Sequence, residues 1–291
     1  MRVLHVDSGR EMRGGQWQVL RLVQGLGPDS VLLTPPGGPL LQAAEERGLD
    51  ARPLNMMSLS ALSRRADLTH AHDARSHAWT AALGGSRLVV SRRVAFAVAR
   101  SVLSRWKYRR PDHYLAVSEH VKRTLVEAEV PAERVSVVYD GVELPDTVAA
   151  PNRIVALASS DPLKGRSLME KAASLAGVEV HYSADLGADL PTASVFVYIT
   201  HSEGLGSAAL MAMAHGVPVV ASQIGGLPEI VIHEQTGILT RNDPQAIAAA
   251  IRKALDMRER LSATARRCVE ERFSTRHMID NTLLAYRKVL A

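Results

Sequence analysis

The chain has 291 residues, a formal net charge of +5, and a composition that is 46% hydrophobic but only 4% aromatic, so its cores must be built from Val, Leu, Ile, Ala and Met. Its single cysteine, Cys268, excludes an internal disulfide and a cysteine-rich zinc site. No stretch approaches the roughly 20 apolar residues of a membrane span, and the opening run to Asp7 is too short for a secretory leader, so a soluble, cytoplasmic protein in a reducing compartment is expected.

Apolar, β-rich runs alternate with helical patterns along most of the chain, which predicts α/β architecture with parallel sheets. A buried strand over residues 2–7 is followed by a loop with Gly9, Gly14 and Gly15, then a helix over 16–25 with Trp17, Leu20 and Val23 near helical spacing. Further strands are predicted at 30–34, 68–72, 87–91, 113–117 and 134–138, with Ser118 placed to cap a helix. A polar, proline-containing stretch over 143–152 reads as a linker. The pattern restarts with a strand at 154–158, a loop at 159–165 and a helix at 166–175, then strands at 178–182, 195–200, 217–221 and 238–240. Asp243 before Pro244 marks a helix start, a capping residue followed by proline at the first helical position. Helices at 258–272 and 275–290 close the chain. The expected division is a first domain over 1–143, a second over 144–273 and a last helix over 274–291.

In open parallel sheets, ligands bind beyond the carboxyl ends of the strands. Five loops therefore matter: 8–15, 72–77, 159–165, 201–206 and 223–228, facing a shared cleft. In His201-Ser202-Glu203-Gly204-Leu205-Gly206 the glycines let backbone approach a ligand. The helix start at Ser207 offers its positive end to a phosphate, and Glu203 can accept hydrogen bonds from ligand hydroxyls. His70, His72, Asp73 and His77 form a polar cluster after a first-domain strand. It reads either as sugar or acceptor binding by His72 and Asp73, or as helix capping by Asp73 beside packed histidines; a metal site is the weakest reading. Gly225-Gly226-Leu227-Pro228-Glu229 reads as a structural turn into a short helix.

The run SEGLGSAALMAMAHGVPVVASQIGGLPEIVIHEQT (202–236) resembles the signature region of family 4 retaining glycosyltransferases of the GT-B fold. AVSEHVKRTLVEAEVPAERVSVVYDGVEL (116–144), the closing FSTRHMIDNTLLAYRKVL (273–290) and Gly14-Gly15 before a helix are similar to the same family, in the same order. The resemblance implies two Rossmann-like domains, with the last helix crossing back to the first. It implies retaining transfer from a nucleotide diphosphate sugar, a UDP- or GDP-sugar, to an unknown acceptor, with no metal ion and no cofactor. Lys164 matches the lysine that holds the donor diphosphate, and Glu203 the first glutamate of a pair that contacts the sugar. Ser159, Gly165, Gly204, Leu205, Gly206, Ser207 and Met211 fall at donor-binding positions, and Gly15 closes over the phosphate. His72, Asp73, Arg92 and Arg93 fall on the acceptor or sugar side.

The chain departs from that pattern in places. The second glutamate of the pair is Met211, and an arginine expected five residues before Lys164 is Ser159. A histidine of the family gives way to Arg92-Arg93. These departures bring in an alternative: a catalytically impaired homologue that binds nucleotide or regulates. A dehydrogenase is disfavoured because the first loop lacks the Gly-x-Gly-x-x-Gly spacing. From Ala74 to Pro111 there is no acidic residue but nine basic ones: Arg75, Arg87, Arg92, Arg93, Arg100, Arg105, Lys107, Arg109 and Arg110. That stretch is either a solvated helix face or a surface for an anionic partner. An anionic membrane is the expected partner, with Trp106 and Tyr108 at the interface; no nucleic-acid module accompanies the charge.

Overall fold

The computed structural model describes residues 1–99, 101–146 and 151–291; Arg100 of the basic stretch and residues 147–150 of the expected linker lie outside them. Two compact units emerge, one comprising residues 1–141 and 275–291, the other residues 142–274.

Unit 1 runs β1 (Val3–Val6), α1 (Gly14–Leu26), β2 (Ser30–Thr34), α2 (Pro39–Glu45), β3 (Ala51–Pro53), α3 (Met56–Ser63), β4 (Leu68–Ala71), α4 (Ala74–Leu83), β5 (Arg87–Arg92), α5 (Val102–Arg109), β6 (His113–Ala116), α6 (Glu119–Glu127) and β7 (Val135–Val137). Its seven strands pair in parallel in the order β3-β2-β1-β4-β5-β6-β7. The inner strands β1, β4 and β6 are buried along their whole length, as expected where helices cover both faces of a sheet. Residues 35–67, without a sequence assignment, supply α2, β3 and α3; the three-residue β3 and the eight-residue α3 are too short to show a clear period.

Unit 2 runs β8 (Arg153–Leu157), α7 (Arg166–Ala176), β9 (Val180–Ser183), α8 (Leu186–Asp189), β10 (Ala193–Tyr198), α9 (Ser207–Ala214), β11 (Val219–Ser222), α10 (Leu227–Ile230), β12 (Gly237–Thr240), α11 (Pro244–Asp256) and α12 (Arg258–Arg272). Its strands pair in parallel in the order β12-β11-β10-β8-β9. Entry and exit of the unit are tied together, Val142 N donating to Phe273 O at 3.0 Å. Asp243 caps α11 through Ala246 N at 2.9 Å, with Pro244 in the first turn. β10 stops at Tyr198, two residues before the predicted end. Thr200 leaves the ladder: its N–H donates to Ser222 Oγ and its hydroxyl to Leu163 O, at 2.9 and 3.0 Å.

The last helix, α13 (Thr275–Leu290), belongs to unit 1. Met278, Thr282, Ala285 and Tyr286 form one buried stripe at helical spacing. Its apolar members pack with Val3, Leu22, Leu68, Val89 and Leu115 from the sheet and α1. Among the described residues, no helix is long and apolar enough to cross a membrane.

Candidate active site

In an open α/β sheet the crevice lies where the strand order reverses. In unit 2 that point falls between β8 and β10, so the loops after these two strands share it. The first loop folds as a 3-10 turn, Pro162–Lys164, capped by Asp161, whose carboxylate accepts from Leu163 N at 2.9 Å. Gly165 follows at φ +58, and a Cβ there would stand 2.7 Å from Ile199 Cγ2, so only glycine lets the turn rest on the end of β10. His201 N and Thr200 Oγ1 both donate to Leu163 O, at 2.7 and 3.0 Å, fastening the two loops to each other.

This arrangement brings Lys164 and Glu203 together. Lys164 Nζ donates to Glu203 Oε2 at 2.9 Å and to Tyr198 Oη at 3.0 Å, and Tyr198 Oη donates to the same carboxylate oxygen. The ammonium also lies 5.1 Å from the Tyr198 ring centroid. Burial, reinforced by the Glu203 charge, pushes the Tyr198 hydroxyl well above its ordinary range, so it remains a neutral donor. Glu203 Oε1 accepts from Gly204 N at 3.1 Å. Gly204, Leu205 and Gly206 are buried, so what they offer a ligand is backbone. Gly206, at φ +108, leads into α9 without a side-chain cap. Ser207 and Met211 lie half-buried on one stripe of that helix, and Ser159 is half-buried at the start of the first loop.

Two contributions were not anticipated from the sequence. Tyr198 passes for one more apolar strand residue; its signal is a hydroxyl at the carboxyl end of a buried strand, five residues before Glu203. Gly225 and Gly226 form the seat of the Glu203 loop. A Cβ on Gly225 would fall 2.0 Å from Glu203 O, and one on Gly226 2.2 Å from Gly204 O. The turn is structural, as read, but its glycines are required by the loop packed against them.

The other predicted residues belong to unit 1. Asp73 caps α4, and its carboxylate accepts from Ser8 N and Ser8 Oγ, both at 2.6 Å, and from Arg75 N and Ser76 N at 2.8 and 3.0 Å. Burial alone would raise its pKa, but these bonds, led by Ser8, hold it below the ordinary value. His72 is buried, 3.0 Å from His5 through Nε2 and Nδ1. Arg93 pairs with buried Asp140 at 3.2 Å; Arg92 donates to Tyr108 Oη and Phe96 O at 3.0 and 2.7 Å. Gly15 is half-buried in the first turn of α1, where a Cβ would sit 3.9 Å from Arg93 Cδ. A ligand role for Asp73 would have to replace its bonds, whereas His72 Nδ1, Arg92 Nε and Arg93 Nη1 are buried without partners among the described residues.

His5, His70 and His72 have ring nitrogens within 4.8 Å of one another. The donor set nevertheless suits a hydrogen-bonded stack better than a metal ion. His70 uses both nitrogens, on Tyr286 Oη at 2.5 Å and Ser91 Oγ at 2.8 Å. If a cation took the facing nitrogens of His5 and His72, the far ones would carry N–H groups, and those far atoms are buried without partners among the described residues.

The chain is thus an α/β protein of two parallel sheets, with a lysine and a glutamate paired at the strand-order reversal of its second unit, beside a helix start. Two family models follow one another along the chain: Glycosyltransferase Family 4 over residues 13–145 and Glycosyl transferases group 1 over residues 142–257. The chain superposes on the crystal structure of Anabaena Alr3699/HepE in complex with UDP with a TM-score of 0.87 at 14% identity, covering 99% of this chain and 100% of that one. The chain therefore belongs to the family 4 glycosyltransferases and has the GT-B fold. Alpha-maltose-1-phosphate synthase of Mycolicibacterium smegmatis is 41% identical over 113 residues, 35% of this chain and 29% of that protein. MMP alpha-(1->4)-mannosyltransferase of Mycolicibacterium hassiacum is 30% identical over 225 residues, 62% of this chain and 55% of that protein. The matches thus span about half or less of these relatives.

Proposed function

We propose that the chain transfers a sugar from a nucleoside diphosphate sugar to an acceptor, with retention of configuration and without a metal ion, and that unit 2 holds the donor. The observation that carries this reading is the Lys164–Tyr198–Glu203 constellation beside the α9 start. Without ligand, Glu203 neutralises Lys164. An incoming diphosphate offers the ammonium a stronger anion, and the backbone at Gly204, Leu205, Gly206 and Ser207 with the positive helix end stabilises the same charge. Glu203, still held by Tyr198, is then released to accept hydrogen bonds from sugar hydroxyls. In the transition state the growing charge on the leaving diphosphate meets donors already in place, and a phosphate oxygen takes the acceptor proton on the face the leaving group vacates. Ser159, Gly165 and Met211 complete the donor pocket. A UDP- or GDP-sugar fits this reading; the HepE neighbours were crystallised with UDP and UDP-glucose. The basic unit 1 adds peripheral contact with an anionic membrane on the cytoplasmic side.

A second reading, an impaired homologue that binds nucleotide without turnover, is favoured by one observation: Met211 brings no carboxylate to the stripe that starts at Ser207. Calorimetry with UDP and GDP in the presence of a chelator tests the site, followed by turnover of the matching sugar nucleotides. Lys164→Ala is expected to weaken binding at least tenfold, about 1.4 kcal/mol. Undiminished binding by Lys164→Ala, or binding that requires a divalent ion, overturns the assignment. Tight binding without turnover of any sugar nucleotide selects the second reading.

A further inference from the structure

The short helix α5 is built inside out. Ser101 caps it, its hydroxyl accepting from Ser104 N at 3.1 Å. Its one buried side chain is Tyr108, which stacks with Tyr114 at a centroid distance of 6.0 Å and accepts from Arg92. Tyr108 was expected at a membrane interface; the structure turns it into the core instead. Three large apolar side chains of α5 face solvent: Val102 is 74% exposed, Leu103 79% and Trp106 46%. These residues, at i, i+1 and i+4, share one helical face. Just before the helix, Val94 and Phe96 are exposed as well. Exposing this many large apolar side chains in one short segment marks a contact surface.

The charges around the patch identify its partner. Arg105 and Arg109 flank the apolar face and are exposed, and Lys107 and Arg110 reach back to Ala74 O and Ala81 O at 3.4 and 3.2 Å, holding α5 on α4. No acid lies between Asp73 and Asp112. An apolar face flanked by the cations of its own segment is complementary to a surface with negative headgroups above an acyl layer. Eight residues of helix span about 12 Å, far short of a bilayer core, so such a helix lies along the interface with its tryptophan at the boundary between headgroups and acyl chains.

We infer that α5 is the membrane-inserting element of unit 1, seating Val102, Leu103 and Trp106 in the outer acyl region of an anionic bilayer while Arg105 and Arg109 pair with lipid phosphates. This rests on the membrane contact proposed above and adds insertion to attraction by charge. The test uses the full chain with vesicles of phosphatidylcholine, with and without phosphatidylglycerol, some carrying bromine on the acyl chains. Emission from Trp106 is separated from that of Trp17 and Trp79 by the Trp106→Phe variant. Expected are binding to the anionic vesicles only, a blue shift and bromine quenching of the Trp106 component, and at least a tenfold weaker partition for Leu103→Glu. Arg105→Gln is expected to weaken binding less, with an effect that shrinks as salt is added. Leu103 and Arg105 are exposed, so both variants are expected to fold; UDP calorimetry on the same samples reports on the donor site separately.

Salt-sensitive binding without quenching, and with Leu103→Glu equal to the parent, would overturn insertion while leaving attraction by charge intact. No binding to anionic vesicles would overturn both. A dimer of the parent that Leu103→Glu dissolves would overturn the inference in favour of a second copy as the occupant.

Discussion

Both sheets reverse their strand order once, between β1 and β4 in unit 1 and between β8 and β10 in unit 2, yet the two points are furnished differently. In unit 1 the loops after the two strands are sewn together: Asp73 takes both the N–H and the hydroxyl of Ser8. Behind them, His5, His70, His72 and His77 are buried in the unit. In unit 2 the loops are joined by backbone at Leu163, which leaves a half-buried lysine and glutamate to neutralise each other at the surface of the crevice. One architecture thus uses the same topological position for structure in one copy and keeps exchangeable charge there in the other. On the proposed reading a diphosphate replaces the Glu203 carboxylate on Lys164, whereas the Ser8–Asp73 pair itself offers an anion no cation.

The largest consequence concerns acid. Burial lowers the pKa of His5 and of His77 to about 3, and those of His70 and His72 well below the ordinary value, the neighbouring imidazoles adding to the effect on the latter two. Folded, these rings stay neutral; unfolded, they take up protons near pH 6.5. The unfolded chain therefore binds more protons from pH 6.5 down to about 3, and stability falls as the pH falls through that window. Each ring contributes up to about 1.4 kcal/mol per pH unit, so the four together can remove on the order of 5 kcal/mol per unit. Residue-resolved hydrogen exchange between pH 7 and 4.5 should show unit 1 amides losing protection before those of unit 2. The reverse order, or parallel loss, would break the contrast.

A smaller effect is expected from the backbone seat of the unit 2 loop. In Gly226→Ala the new methyl meets Gly204 O at 2.2 Å and Leu205 Cα at 2.9 Å, backbone that can yield only by moving the Glu203 loop. Overpacking of this kind costs about 1–3 kcal/mol, and the displaced loop should bind UDP or GDP several-fold more weakly. Gly14→Ala, at the start of α1 in unit 1, meets nothing within 4 Å and serves as the control. Thermal melting and calorimetry on both variants check this; equal behaviour would show that the loop does not depend on its seat.

How much of this was legible in the sequence follows the range of the interactions. Parallel sheets, most strands, and the capping roles of Asp73, Ser118 and Asp243 are local signals, and Ser118 does cap α6 through Val121 N at 3.1 Å. Lys164 and Glu203 could be picked out one at a time from their loops. Their pairing could not, because it depends on Thr200 leaving the β10 ladder and taking Leu163 O, a contact across 37 residues. The use of the histidines was equally hidden. His70 binds Tyr286 from 216 residues away, on a helix that returns to unit 1 only at the end of the chain. The basic stretch showed its charge in one dimension, but which way α5 faces is decided by Tyr108 docking on Tyr114.

The smallest expected effect is also the most direct probe of whether the unit 2 crevice takes a nucleotide. Ser207, Ala208, Met211 and His215 are the half-buried positions of α9 and its cap, at spacings that form one stripe, while Ala209, Leu210, Ala212, Met213 and Ala214 face the core. Met211 therefore shares a face with Ser207 at the helix start, one turn further along. Methionine offers a ribose only a weak acceptor, whereas a glutamate there can accept from both ribose hydroxyls, at about 1.5–3 kcal/mol for a bond to a charged group before desolvation is subtracted. Because the stripe is half-buried, Met211→Glu need not leave an unpaired carboxylate in the core, and its melting temperature should stay near that of the parent. We expect up to about tenfold tighter binding of the preferred nucleoside diphosphate, with the gain reduced for its 2′-deoxy analogue, since the added bonds need the hydroxyl. Calorimetry with the two nucleotides decides it. A folded Met211→Glu that binds both no better than the parent would mean that the ribose lies elsewhere and that α9 contributes its first turn alone.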